Sequence, residues 1–165
     1  MFNRAWLAGG IPRTACVAAY EPVCAVSLAD SYINRANPGT NNAAPGVAPT
    51  WVESTGWKFN GFSQYLTSGY VPDGAGTVAI RFSSMANNGS VIGCQSATGY
   101  VFVYRSAASG MQYANCSAGS TYQLPATDNG VFILSGRTAY RDGNVDKDLG
   151  AVVTISNPIL IGARG

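Results

Sequence analysis

From Gly56 onward, short runs of alternating apolar and polar residues are separated by Gly, Asn and Asp, the pattern of half-buried β-strands joined by tight turns. The clearest runs are Gly56-Trp57-Lys58-Phe59-Asn60-Gly61 with Tyr65-Leu66, then Thr77-Val78-Ala79-Ile80-Arg81-Phe82, then Tyr140-Arg141-Asp142-Gly143, then Ile159-Leu160-Ile161-Gly162. Turns are expected at Ser68-Gly69, Pro72-Asp73-Gly74, Asn87-Asn88-Gly89, Ala97-Thr98-Gly99, Ser109-Gly110, Asp128-Asn129-Gly130 and Asp142-Gly143. Asn88-Gly89 reads as a hairpin joining Ile80-Arg81-Phe82 to Val91-Ile92, and Thr98-Gly99 as one opening onto Tyr100-Val101-Phe102-Val103-Tyr104. Strands at 131–134, 138–140, 152–155 and 159–161 complete the series, and no repeat of fixed period points to a propeller or solenoid. This rhythm predicts an all-β, antiparallel β-sandwich.

The first third of the chain follows other rules. Residues 14–20 read as a first strand, ended by Glu21-Pro22. Ala25, Val26, Ala29, Tyr32, Ile33 and Ala36 recur at spacings of three and four, which predicts one short amphipathic helix over 25–36, stopped by Asn37-Pro38-Gly39. Residues 37–50 hold Pro38, Pro45 and Pro49 without periodicity and read as a long ordered loop crossing the sandwich. Residues 1–13 form an N-terminal extension. Its Ala-Trp-Leu-Ala run is interrupted by Gly9-Gly10, Pro12 and Arg13, so it does not read as a signal peptide, and no apolar run reaches the roughly 20 residues that cross a bilayer.

Composition narrows the function classes. The 165 residues are the size of one domain. Charged residues make up 11%, against roughly 25% in ordinary soluble proteins, and this polar but weakly charged surface points to a virion or extracellular setting. The net charge is +2 with no basic run, so neither nucleic acid nor an anionic membrane is indicated as a partner. Histidine is absent, which removes the commonest general base, the commonest metal ligand and every Ser-His or Cys-His arrangement. Cys16, Cys24, Cys94 and Cys116 lack CxxC spacing, leaving disulfides or buried thiols. If bridges form, Cys16 with Cys24 and Cys94 with Cys116 is the simplest of the connectivities.

Taken in order, the Gly56–Leu66 segment, the strand from Thr77 to Ser83, the Tyr140–Gly143 hairpin and the closing Ile159–Gly162 run resemble the concanavalin A-like lectin and glucanase superfamily. The resemblance is to its laminin-G-like jelly-roll branch, in the form met in phage and metagenomic virus-like sequences, over roughly residues 14–165. It implies a jelly roll serving adhesion or carbohydrate recognition. Members continue past the Ile-Gly pair with a further strand and short helix that are not found before Gly165, so an unpaired edge or an intermolecular strand is expected near Ile159–Ile161. The glucanase branch carries a Glu-x-Asp-x-Glu motif, because retaining hydrolysis needs two carboxylates about 5 Å apart. No Glu-x-Asp-x-Glu run occurs here, so no catalytic residue is assigned and a non-catalytic role is expected.

Two sets of candidate site residues remain. Asp142, Asn144, Asp146 and Asp148 supply oxygens at alternate positions, as the start of a calcium loop does, but Lys147 stands where an EF-hand has glycine and no Glu closes the loop. The set reads either as a calcium site or as a solvated hairpin; no other cofactor is indicated. Among the aromatics, Trp51 after Pro49, Tyr104 and Tyr113 are candidates to stack on sugar rings, whereas Trp57 and Phe59 alternate with Lys58 and are expected to face inward. The leading expectation is a glycan-binding module. The alternative is a structural subunit whose open sheet edge takes another protein chain, including a second copy in a homo-oligomer.

Overall fold

A computed structural model describes residues 13–73, 75–85, 89–96, 99–106, 110–117, 122–124, 127, 129–150 and 155–162. Among these the strands are β1 (Ala44–Val47), β2 (Thr50–Val52), β3 (Gly56–Lys58), β4 (Tyr65–Thr67), β5 (Thr77–Ser83), β6 (Gly89–Ser96) and β7 (Gly99–Ser106). They continue with β8 (Gly110–Ser117), β9 (Tyr122–Leu124), β10 (Asn129–Ser135), β11 (Thr138–Arg141), β12 (Asn144–Asp148) and β13 (Leu160–Ile161). A seven-stranded sheet runs β1-β4-β13-β6-β7-β8-β9, a four-stranded sheet runs β12-β11-β10-β5, and β2 and β3 make a separate hairpin. Every pairing is antiparallel. The chain is an all-β sandwich with no helix beyond the single turn α1 (Leu28–Ser31) and two 3₁₀ turns among the described residues.

Alternation places the core between the two sheets. Ile92, Cys94, Val101 and Val103 of the large sheet meet Phe132, Leu134 and Ala139 of the small one, with Leu149, Ile155 and Ile159 closing the cluster. Phe132 is 1% exposed and meets Phe82 with ring centroids 5.1 Å apart. Burying a side chain of that size stabilises by about 1.5–3 kcal/mol. A second cluster sits under the hairpin, where Ala43, Leu66 and Ile161 pack against Tyr20, Tyr32, Trp57 and Phe59. Trp57 and Phe59 thus face inward as their alternation with Lys58 requires.

The two ends of the Gly56–Gly162 motif series are joined physically. Phe59 lies so close over Gly162 that a Cβ there would come within 2.4 Å of its ring, and Gly162 sits at φ 85°. A glycine is required at that point on both counts. At the β11–β12 hairpin, Arg141 pairs with Asn144 around Asp142 (φ 49°) and Gly143 (φ 85°), the two left-handed positions that a type I′ turn needs.

Several expectations need correction. Residues 14–20 are not a strand: a 3₁₀ turn at Arg13–Ala15 leads into irregular chain that Asn34 ties down. The helix expected over 25–36 is confined to 28–31, because the Asn34 amide oxygen accepts the N–H groups of Ala36 and Asn37 and turns the chain away. Within the expected 37–50 loop lies β1, an edge strand that tolerates Pro45, and Trp51 sits in β2 and not in a loop. Asn88-Gly89 does not close a hairpin, since β5 pairs with β10 in one sheet and β6 with β7 and β13 in the other. Ser96 stands opposite Gly99 in the β6–β7 pair, while Ala97 and Thr98 of the expected turn lie outside the described residues. The strand expected at 152–155 falls largely outside the described residues.

The largest correction concerns the edge. β13 is paired on both sides, Leu160 with Thr67 and Gly93, and Ile161 with Leu66 and Ile92, so it lies inside the large sheet. No open edge exists at Ile159–Ile161. Of the two readings left open for the cysteines, the described ones are thiols. Cys16 and Cys24 are free thiols, and Cys94 is a buried thiol. Cys94 pairs with Val101 on β7, while Cys116 on β8 pairs with Tyr100 on the far side of that strand. Two strand spacings of ~4.8 Å put the backbones about 10 Å apart, beyond the ~7 Å that a bridge spans.

Candidate ligand-binding surface

The segment between β3 and β4 builds the most distinctive surface feature. Asn60 sits at its start and its side chain organises the whole turn. The Oδ1 accepts the backbone N–H groups of Phe62 (3.0 Å), Ser63 (3.0 Å) and Gln64 (3.2 Å), while Nδ2 donates to the Ser63 hydroxyl (3.1 Å). Gln64 returns the contact, its Oε1 accepting the Asn60 N–H at 2.8 Å. Such side-chain to backbone bonds fix a loop without help from neighbouring elements. At the tip of this braced loop Phe62 is 96% exposed.

The neighbouring surface is aromatic and apolar as well. Leu66 is fully buried, so alternation sends Tyr65 to the outer side of β4, where its ring covers Gly46 of β1, and a Cβ there would overlap it at 2.0 Å. Val47, 47% exposed, stands opposite Tyr65 in the register. Tyr65 and Val47 are thus register partners at the β1 edge of the large sheet, and Phe62 stands three residues before Tyr65 on the loop that leads into β4. The residues expected from the sequence did not include this group. The Asn60-Gly61-x-Ser63 run carries the signal, since Asn and Gly favour a turn and would lift Phe62 onto its tip.

The expected aromatic platforms are dispersed. Trp51 pairs with the inward-facing Trp57, is half-buried, and donates its indole N–H to the Pro22 carbonyl at 2.9 Å. Tyr104 is half-buried on β7, opposite Ser90 and Gln112. Tyr113 stands in β8 opposite Val103, so the two tyrosines are not cross-strand partners. The Tyr113 side chain lies outside the described residues.

The oxygen-rich run Asp142–Asp148 forms the β11–β12 turn and strand, and each acid has its own partner. Asp142 Oδ1 accepts the Val131 N–H at 2.8 Å, Asp146 pairs with Arg141 at 3.0 Å and Asp148 with Arg137 at 3.0 Å. The Gly150 N–H, and then Arg137, hold the Asp148 carboxyl below the usual carboxylate range. Asn144 donates from Nδ2 to the Asp142 carbonyl at 3.4 Å. Extended backbone spreads these oxygens along the strand, and among the described residues no group of three acidic or cysteine side chains converges as a cation site would require. A small apolar cavity lined by Tyr70, Val78, Val101 and Leu134, about 20 Å³, has room for no more than a water. No described helix is long and apolar enough to cross a membrane. Comparison of the chain with protein-family models, with curated proteins and with solved structures found no match to any of them.

Proposed function

We propose that the protein is a non-catalytic binding module of the concanavalin A-like kind, which recognises carbohydrate through the corner built around Phe62 and acts in adhesion on a virion or another extracellular assembly. The observation that carries this reading is Phe62, 96% exposed on a loop held by five hydrogen bonds through Asn60. A solvent-exposed aromatic ring offers a flat apolar face on which a ligand can stack. The apolar face of a pyranose is a flat partner for a ring, and a loop already fixed loses little entropy on binding. Tyr65 and Val47 extend the surface for a second sugar unit or an aglycone.

A glycan array with the intact protein and its Phe62→Ala variant tests this. Covering a phenyl ring is worth about 1.5–3 kcal/mol, so affinity should fall roughly 10- to 100-fold while the melting temperature stays put. Retention of no glycan, or equal retention by both proteins, would count against the reading.

A further inference from the structure

Large aliphatic side chains stand in water close to the start of the described chain. Val17, Val23 and Val26 are 47%, 51% and 77% exposed, and all three lie within thirteen residues of Arg13. Val52 of the β2–β3 hairpin is 41% exposed. The 3₁₀ turn Pro22–Cys24 seats Val23 on that hairpin. Trp51 donates its indole N–H to the Pro22 carbonyl, and a Cβ on Gly56 would meet Val23 at 3.4 Å and Pro22 at 3.5 Å. Gly56 is the register partner of Val52, so Pro22, Val23 and Val52 adjoin. Ala25 turns inward, 5% exposed, and leaves Val26 outside. Adjoining apolar surface of this kind marks a place where another segment sits.

Carboxylates frame it. Glu21 precedes Pro22 and Glu53 follows Val52, and neither has an ion-pair partner among the described residues, whereas Asp30 is taken by Arg35 at 2.6 Å. Lys58 stands at the other end of the hairpin, opposite Thr50. Residues 1–12, which lie outside the described residues, carry the chemical complement. They hold Phe2, Trp6, Leu7 and Ile11, and Arg4 is their single charge. Extended, twelve residues span about 40 Å. Val23 lies ten residues past Arg13 along a path shortened by two 3₁₀ turns, each rising only ~2 Å per residue, so the segment is long enough to double back onto it.

We infer that residues 1–12 dock on their own domain, with Trp6 and Leu7 covering Val23, Val26 and Val52, and Arg4 drawn to Glu21 and Glu53. The contact closes a short loop within one chain, which costs little entropy. The segment is then a strap: its apolar residues supply the attraction, and its one cation fixes which part lies at the carboxylates.

Cys24 reports on the strap, because its thiol is exposed and stands between Val23 and Val26 in the chain. The full chain is treated with a maleimide under native conditions, and labelling of each cysteine is followed by peptide mass mapping. The docked segment should shield Cys24, and Trp6→Ser with Leu7→Ser should speed its labelling about tenfold or more. Arg4→Glu should speed it several-fold, and adding Glu21→Lys with Glu53→Lys should restore the slow rate. Cys94, 1% exposed, should stay unlabelled throughout, which checks that every variant is folded. Should the Trp6, Leu7 double variant label at Cys94, the charge reversal and its rescue decide alone. Equal Cys24 rates in the native chain and in the variants would overturn the proposal. Shielding that appears only as protein concentration rises would also overturn it, and would assign the segment to a second copy.

Discussion

Asn34 is the residue whose removal the structure prices most directly. It is fully buried and makes five side-chain hydrogen bonds. Oδ1 accepts the N–H groups of Ala19 (2.9 Å), Ala36 (3.0 Å) and Asn37 (3.4 Å), and Nδ2 donates to the carbonyls of Val17 (2.8 Å) and Thr40 (2.8 Å). One amide thereby fastens the segment around Val17–Ala19 to the turn around Ala36–Thr40, and those segments carry Tyr20 and Ala43 into the second core cluster. At about 1 kcal/mol for each good bond, and less for the long one to Asn37, Asn34→Ala should cost about 3–5 kcal/mol. That is a large fraction of the ~5–15 kcal/mol by which domains of this size are stable. Asn34→Asp separates the contributions, because it keeps the three accepted bonds and sets an oxygen against the carbonyls of Val17 and Thr40. Urea unfolding should show a lower midpoint for both variants at an unchanged slope, with Val17–Ala19 becoming sensitive to limited proteolysis. A loss below about 1 kcal/mol for Asn34→Ala would mean that water replaces the amide at little cost and that Asn34 is not the fastening point.

Two further outcomes follow from the same core. Gly162→Ala brings a methyl to 2.4 Å from the Phe59 ring at a φ of 85°, and should destabilise by about 2–4 kcal/mol in urea unfolding; the double variant Gly162→Ala with Phe59→Leu should recover part of it. Tyr20 donates its hydroxyl to the Asn41 and Ser68 carbonyls, and burial pushes its pKa up to about 12 from the ordinary value near 10. A raised value in the folded state means that the neutral phenol's contribution is complete below pH ~10 and is lost as pH rises toward about 12. The melting temperature should therefore fall more steeply over that window in the native protein than in Tyr20→Phe, and parallel curves would contradict this.

The strand content was legible because alternation and turn chemistry are local. Asp142-Gly143 could be placed from two residues, and Trp57 and Phe59 could be turned inward from their alternation with Lys58. Sheet order is not local, and the errors gather there. Nothing within Ile159–Ile161 says that Leu160 and Ile161 thread between β4 and β6. Nor do the residues around Asn88 reveal that the chain changes sheets between β5 and β6. The same blindness produced the Cys94–Cys116 pairing, plausible by sequence separation and excluded once β7 lies between them. Asn34 was hidden for another reason: its neighbours Tyr32, Ile33 and Ala36 fit a helical period, and only the five contacts show the amide replacing helical bonds. The candidate site was half visible. Trp51, the first aromatic the sequence offered, is held by Pro22 and paired with Trp57, while the turn residues around Asn60 put Phe62 outside.

The corner around Phe62 is tested most directly by titrating the isotopically labelled protein with the glycan that binds it best and following backbone amide shifts. The largest changes should fall on Asn60–Tyr65 and Val47, and Phe62→Ala should abolish them with the rest of the spectrum unmoved. Shifts centred on β7 or on the Asp142–Asp148 hairpin, with the Asn60–Gln64 loop silent, would contradict a site at Phe62.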